Sequence, residues 1–345
     1  MATLGVAIGG PYATLGALAA EVERHGFDTA WVAETSHDAM IQAAVAIQAT
    51  STVTVGTNIA LAFPRSPTVT AMQAWDLDEI SGSRFVVGLG SQVKRIIEER
   101  FSADFDRPAL RMAEYVQAMH AAWAMERGED VRFEGEIYRV LRPGLTGLGR
   151  SHERQPPPVL VAAVGPLMTR AAATYADGLL GHPFTSERYL TTSVLPRIDQ
   201  ALADASRSRD DFKVCQGVIV AISDDGVTAR QEAKQQVGFY GTTPNYRAVF
   251  AAHGDDELNL TLRRVWRRTS GDPDALAAEI SDDVLDRYAV AGTPDEVADR
   301  LEAIARHVDH VILGGAWYRV PMQRMAENLW AIMTTFGSVA TPEGP

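Results

Sequence analysis

TVTVGTNIAL (52–61), SPTVTAMQAWDLDEIS (66–81) and RFVVGLG (84–90) follow one another with short joins between them. The first and third are apolar runs of strand length, and the middle one has the length of a helix. Two buried strands joined by a helix of this size form a parallel βα unit with a right-handed crossover. The same alternation extends towards the amino terminus. LGVAIG (4–9) and TAWVAE (29–34) read as strands. ATLGALAAEVERHG (13–26) is a helix with Leu15, Leu18, Ala19 and Val22 on one face and Gly26 closing it, and AMIQAAVAIQATS (39–51) is the next helix.

The alternation continues towards the carboxyl terminus. A long helix is expected over 106–127, and RFEGEIYRV (132–140) reads as a small hairpin turning at Glu134-Gly135. A Gly/Pro/Arg-rich excursion covers 142–158. PVLVAAVG (158–165), DGLLGH (177–182), FKVCQGVIVAI (212–222) and DHVILGG (309–315) supply four more strands, with helices over 166–176, 186–207 and 226–240 between them. A largely helical insertion of about 241–290, in a helical stretch reaching 307, precedes the last strand, and a helix over 322–336 closes the chain. Eight strands alternating with helices point to a (β/α)8 TIM barrel, one domain spanning 1–345, with a doubly wound sheet as the rival architecture.

Composition narrows the function. The 345 residues are 46% hydrophobic and 22% charged, ordinary for a globular enzyme. The formal charge of -12 argues against a nucleic-acid backbone or an anionic membrane as partner. No run of about 18 apolar residues occurs, and the amino terminus lacks a signal-peptide pattern, so the expected location is the cytoplasm. Cys215, the single cysteine, has no disulfide partner in the chain, and no ligand-spaced His/Cys cluster suggests a metal.

In a barrel the chemistry sits at the carboxyl ends of the strands. Those ends carry Gly9-Gly10; Glu34, Ser36 and His37; Asn58 and Ile59 up to Arg65; Gly88, Gly90, Ser91 and Gln92; Ala162, Ala163, Val164 and Gly165; His182; a position near Ser223; and Gly314-Gly315. GLGSQ (88–92) and AAVGP (162–166) each lead into a helix, where backbone N–H groups and the positive dipole end suit a phosphate; plain turns are the alternative. His37 and His182 can hydrogen-bond a substrate oxygen or move a proton near neutral pH, or each can be a satisfied structural histidine. Glu34 is a candidate acid, base or binding group, with an ion pair to a barrel arginine as the equal alternative. Trp31, Trp75, Trp123 and Trp266 read as core packing.

GTNIALAFPRSPTVTAMQAWDLDEISGSRFVVGLGSQ (56–92) resembles the luciferase-like monooxygenase superfamily, with its GT-x-[IV] element, its R-x-P helix start and its S-G-x-R-F-x-x-G-L-G fourth strand. HGFDTAWVAE (25–34), AAVGPLMTRAAATYADGLLGHPF (162–184), FYGTTPNYR (239–247) and GTPDEVADRL (292–301) extend the likeness from the first strand to near residue 315. GLGSQVK, ADGLLGHPF and YGTTPNYR resemble the branch that uses the deazaflavin coenzyme F420 rather than FMN.

The resemblance implies a (β/α)8 barrel with one insertion, often a homodimer, with the coenzyme ring across the strand ends and a non-prolyl cis peptide whose matching pair is Asn58-Ile59. It implies coenzyme contacts at Asn58, Ile59, Gly90, Ser91, Gln92 and the Ala162–Ala163–Val164–Gly165 turn, and a substrate side of His182, Tyr246 and Arg247. The Asp-His pair that serves hydride transfer in F420-dependent dehydrogenases is matched by Ser36-His37, making His37, with Glu34, the catalytic candidate. The carboxylate of a sugar-phosphate branch falls here at Gln92 or Val93, which argues against that substrate. The expected activity is hydride transfer between F420 and an alcohol/carbonyl pair or an activated alkene. An FMN-dependent monooxygenase using reduced flavin and O2 is the first alternative, and a non-catalytic F420-binding barrel is the second.

Overall fold

The structure, a computed structural model, describes residues 2–144 and 154–338. Eight parallel strands form its centre: β1 (Thr3–Ile8), β2 (Thr29–Val32), β3 (Thr54–Thr57), β4 (Phe85–Gly90), β5 (Val159–Ala163), β6 (Gly178–Gly181), β7 (Lys213–Ile222) and β8 (His310–Gly315). Each pairs with the next, and β8 pairs back onto β1, so the sheet closes into a (β/α)8 barrel. Closure removes the doubly wound sheet as a description, since an open sheet leaves two edges.

The helices follow the apolar periodicity. Helix Tyr12–Arg24 buries Leu15, Ala19 and Val22 against the barrel, and the terminal helix Met322–Phe336 covers the expected residues. Trp31, Trp75 and Trp123 are buried, while Trp266 is half-buried. Inside the barrel, Trp31, Leu160, Leu180, Cys215 and Ile312 form a plug. Gly56 makes room for it, because a β-carbon there would sit 2.3 Å from the Trp31 ring.

The expected long helix is Pro108–Glu126, and the helix expected after GLGSQ is Lys94–Phe101, over the barrel mouth. Other details depart from expectation. The hairpin pairs Phe133–Glu134 with Arg139–Val140, and its turn spans 135–138. Glu114 draws the turn there: its carboxylate accepts the N–H groups of Glu136, Ile137 and Tyr138 at 2.8–3.1 Å. The helix expected over 186–207 contains a five-residue π-helical stretch, Leu190–Val194, just before Pro196, whose missing N–H cannot continue the α-helical ladder. Finally, the insertion is not wholly helical. Ala289–Gly292 is a strand that pairs with the second half of β7, Ile219–Ile222, whereas β6 pairs with its first half, Lys213–Gln216. Part of the 142–158 excursion lies outside the described residues.

The run expected as a continuous third strand is also broken. Val55 and Gly56 pair with Phe85 and Val86, and Ala60 and Leu61 pair with Leu89 and Gly90. Four steps along one strand therefore match three along the other, so one residue bulges out over 57–59 at the barrel mouth.

Candidate active site at the barrel mouth

The bulge is held from every side. Asn58-Ile59 is a cis peptide. The Asn58 N–H donates to the Val32 carbonyl at 2.7 Å, and the Ile59 carbonyl accepts from the Glu34 N–H at 3.0 Å. The Thr57 hydroxyl both donates to the Gly88 carbonyl and accepts from the Gly88 N–H, each at 2.8 Å. The glycines of GLG are needed for this packing. A β-carbon on Gly88 would lie 1.9 Å from the Thr57 carbonyl, and one on Gly90 would lie 1.9 Å from the Ile59 side chain. Ile59 and Ala162 rest, partly exposed, on the interior plug. They form an apolar floor between β3 and β5.

On the β2 side of this floor the geometry is ionic. The Glu34 carboxylate accepts the Leu61 N–H at 2.8 Å and both terminal nitrogens of Arg65, at 2.7 and 2.8 Å. Arg65 also donates to Asp38 at 2.5 Å and to the Leu61 carbonyl at 2.9 Å. Burial works against the guanidinium charge, but the two carboxylates outweigh it and hold the Arg65 pKa above its ordinary value. Asp38 is likewise held below the usual carboxylate range: burial is overcome by the Ile41 N–H, Arg65 and the Met40 N–H, since Asp38 also caps helix Ala39–Gln48. His37 lies between these two carboxylates in sequence, half-buried, its ring 4.5 Å from that of Tyr12. Arg100, from the helix across the mouth, donates to the Thr35 carbonyl at 2.9 Å and ties down the same loop.

The two expected anion cradles flank the floor. Helix Lys94–Phe101 follows half-buried Ser91 and exposed Gln92, and helix Pro166–Tyr175 follows Ala163, Val164 and Gly165. Neither helix has a side chain capping its first turn, so those N–H groups are left for a ligand or solvent. Gly165 faces open space, with nothing within 4 Å of a β-carbon built on it.

On the β6 side the geometry is aromatic. The Phe184 N–H donates to His182 Nδ1 at 3.0 Å, which leaves the proton on Nε2 and makes that nitrogen a donor. Burial among rings pulls the His182 pKa down to about 3, so the ring is neutral. Tyr246 lies 4.6 Å from it, and burial raises the pKa of that phenol. Arg247 is turned elsewhere: it is exposed and pairs with Asp256 at 2.9 Å. Among the described residues no group of three or more His, Cys, Asp or Glu could hold a metal.

The sequence model of the luciferase-like monooxygenase family matches residues 3–310. The chain belongs to that family. An uncharacterised protein of Mycobacterium tuberculosis is 40% identical over 292 residues, covering 82% of this chain and 84% of its own. A putative coenzyme F420-dependent oxidoreductase of the same organism is 30% identical over 301 residues, covering 82% and 85%. The coenzyme F420-dependent tetrahydromethanopterin reductase of Methanopyrus kandleri shares the fold, with a TM-score of 0.80 over 97% of this chain and 98% of its own at 21% identity.

In this luciferase-like chain the sequence reading missed three mouth residues. Arg65 carries no signal in the sequence beyond ending the strand-three segment and opening the R-x-P helix start, yet its pairing with Glu34 organises the β2 side. Tyr240 lies in the quoted FYGTTPNYR stretch and touches His182 at 4.7 Å. Trp317 stands two residues past β8, where the rule that barrel strand ends carry the site would have reached it had the end been drawn beyond Gly315.

Proposed function

We propose that this protein is a coenzyme F420-dependent oxidoreductase acting on a small organic substrate, an alcohol/carbonyl pair or an activated alkene. One observation carries the reading: an apolar floor of Ile59 and Ala162 at the strand ends, bordered by two uncapped helix N-termini and by a histidine on each side. A planar ring system with an anionic tail fits such a site, with the ring on the floor and the phosphate at the N–H groups. The kinship with a relative named as F420-dependent supports the choice over FMN. When bound, the deazaflavin supplies a hydride, an electron pair with its proton, to or from a substrate carbon.

The chain's residues do the rest. His182 presents Nε2–H as a neutral donor that can polarise a substrate oxygen, and its low pKa keeps it from acting as the proton carrier near neutrality. His37 is left to move that proton, on the opposite side of the floor. Glu34 and Arg65 hold the His37 loop against the bulge, so Glu34 acts by positioning. Ser91, Gln92 and Gly165 stand at the cradles, while Arg247 would reach a substrate only on leaving Asp256.

Anaerobic titration with oxidised F420 and with FMN tests the reading. Micromolar binding of F420, followed by its reduction on adding a secondary alcohol, is expected. Micromolar binding of FMN with none of F420 contradicts it, and tight F420 binding without turnover of any alcohol, aldehyde or enone favours a binding-only barrel.

Assembly as a homodimer is also proposed. Val69, Met72 and Ile80 on helix Pro67–Ser81 and Ile41 on the adjacent helix are large apolar side chains left exposed. Light scattering at twice the chain mass supports this, and a monomer at micromolar concentration rejects it. No helix of the described residues is long and apolar enough to cross a membrane.

A further inference from the structure

An aromatic wall crosses the mouth from the end of β8 to the end of β6. It begins at Trp317, whose indole N–H donates to the Tyr240 hydroxyl at 3.2 Å. Tyr240 in turn meets His182 edge-on at 4.7 Å, and Tyr246 lies against the other side of the same imidazole at 4.6 Å. Trp317 is 47% exposed, unusual for a ring so well connected. It is also held in place. The side-chain oxygen of buried Gln236 accepts the N–H groups of both Trp317 and Tyr318 at 2.9 Å, and Phe239 packs on the indole at 5.2 Å.

The donors in the wall are neutral. The Tyr246 hydroxyl and His182 Nε2 have no hydrogen-bond partner among the described residues, and burial keeps Tyr240 protonated, its pKa raised to about 12. No charged side chain belongs to the wall. Three arginines near the mouth are committed elsewhere: Arg65 to Glu34 and Asp38, Arg100 to the Thr35 carbonyl and Arg247 to Asp256. Arg319, exposed two residues beyond Trp317, is the basic group of that loop.

We infer that Trp317 and Tyr240 are specificity-determining residues, and that the wall selects an uncharged, flat substrate: an aryl or conjugated ketone, or its alcohol. A flat ring stacks on the exposed face of Trp317, while the substrate oxygen accepts from the neutral donors at His182 and Tyr246. A fixed, half-exposed indole offers area without the entropy loss of ordering it, and neutral donors suit a carbonyl oxygen better than a phosphate. The inference rests on the hydride-transfer reading above and names the substrate class for that site.

The test compares acetophenone, acetone and glucose 6-phosphate as partners of F420 in the wild type, Trp317→Ala and Trp317→Phe, together with calorimetric binding of acetophenone to each protein. KM for acetophenone should lie well below that for acetone. Trp317→Ala should raise the acetophenone KM about 10-fold, the scale of one lost apolar contact surface, with acetone changed less than about 2-fold. Trp317→Phe should restore most of the loss, and the F420 dissociation constant should stay unchanged in both variants. Acetophenone affinity measured by calorimetry should fall in parallel with the KM effect.

Equal KM effects on both ketones, or a preference for glucose 6-phosphate that Arg319→Ala abolishes, would overturn the inference. If no substrate turns over, calorimetry still decides. Ketone binding that depends on Trp317 keeps the wall and removes the hydride-transfer reading, whereas binding indifferent to Trp317 removes the wall.

Discussion

The two sides of the barrel mouth are built by opposite physics. The β2–β3 side is ionic: Glu34, Arg65 and Asp38 form a chain of charge-assisted hydrogen bonds that fixes the loop carrying His37 and the bulge at 57–59. The β6–β8 side is neutral: four rings, among them a histidine held uncharged and a tryptophan pinned by an amide. An ionic side can hold a proton carrier in fixed geometry, because a buried carboxylate, a half-buried one and the guanidinium they share leave little freedom. A neutral side can hold an apolar substrate and donate to its oxygen without exchanging protons. The division of labour proposed for His37 and His182 rests on their surroundings, since both are histidines at strand ends.

Breaking the ionic side should have the largest effect. Arg65→Ala strands Glu34, whose side chain is only 8% exposed, and should cost about 3–5 kcal/mol in denaturant unfolding, as for a buried pair that loses one partner. A loss below about 1 kcal/mol would mean that the carboxylates find water and the clamp is not structural.

The barrel interior, at the end opposite the mouth, should show itself in acid. His310, at the start of β8, accepts the Trp31 indole N–H at 2.9 Å, and burial lowers its pKa from 6.5 to about 4. The unfolded chain takes up a proton near the ordinary histidine pKa that the folded chain refuses. Stability therefore falls as pH drops through this window, by about 3 kcal/mol for this one group. His310→Gln can still accept from Trp31 but does not titrate, so the fall between pH 6.5 and 4 should shrink. An unchanged slope would place the acid sensitivity elsewhere.

His37→Ala should lower turnover about 10²-fold with little change in coenzyme affinity, as expected for loss of a proton carrier. Undiminished turnover would remove His37 from the chemistry and put the proton on the neutral side. The smallest effect belongs to the cradle. Ser91→Ala should weaken F420 binding by about 0.5–1.5 kcal/mol, one neutral hydrogen bond, and an unaltered dissociation constant would detach Ser91 from the coenzyme.

Much of this architecture was legible in the sequence because it is local. Strand-length apolar runs joined by helices gave all eight barrel strands and the terminal helix, and the strand-end rule picked out His37, His182 and Asn58-Ile59. What escaped was set by contacts distant in sequence. Strand Ala289–Gly292 is four small residues inside a helical stretch, and its partner on β7 lies some seventy residues earlier. The hairpin turn follows from Glu114, and the arginine that completes the ion pair weighed for Glu34 is Arg65, 31 residues away. GLG reads as a phosphate loop, yet Gly88 and Gly90 are required first by Thr57 and Ile59; only the helix behind them keeps the cradle open.

The most direct measurement is a crystal structure with F420 bound. The deazaflavin ring is expected on Ile59 and Ala162, with its phosphate at the N-termini of helices Lys94–Phe101 and Pro166–Tyr175. Its reactive carbon should lie between His37 and the wall of His182 and Trp317. A ring bound elsewhere, for instance in the surface groove lined by Phe105, Arg107, Arg111 and Glu136, would contradict the placement of the active site at the barrel mouth.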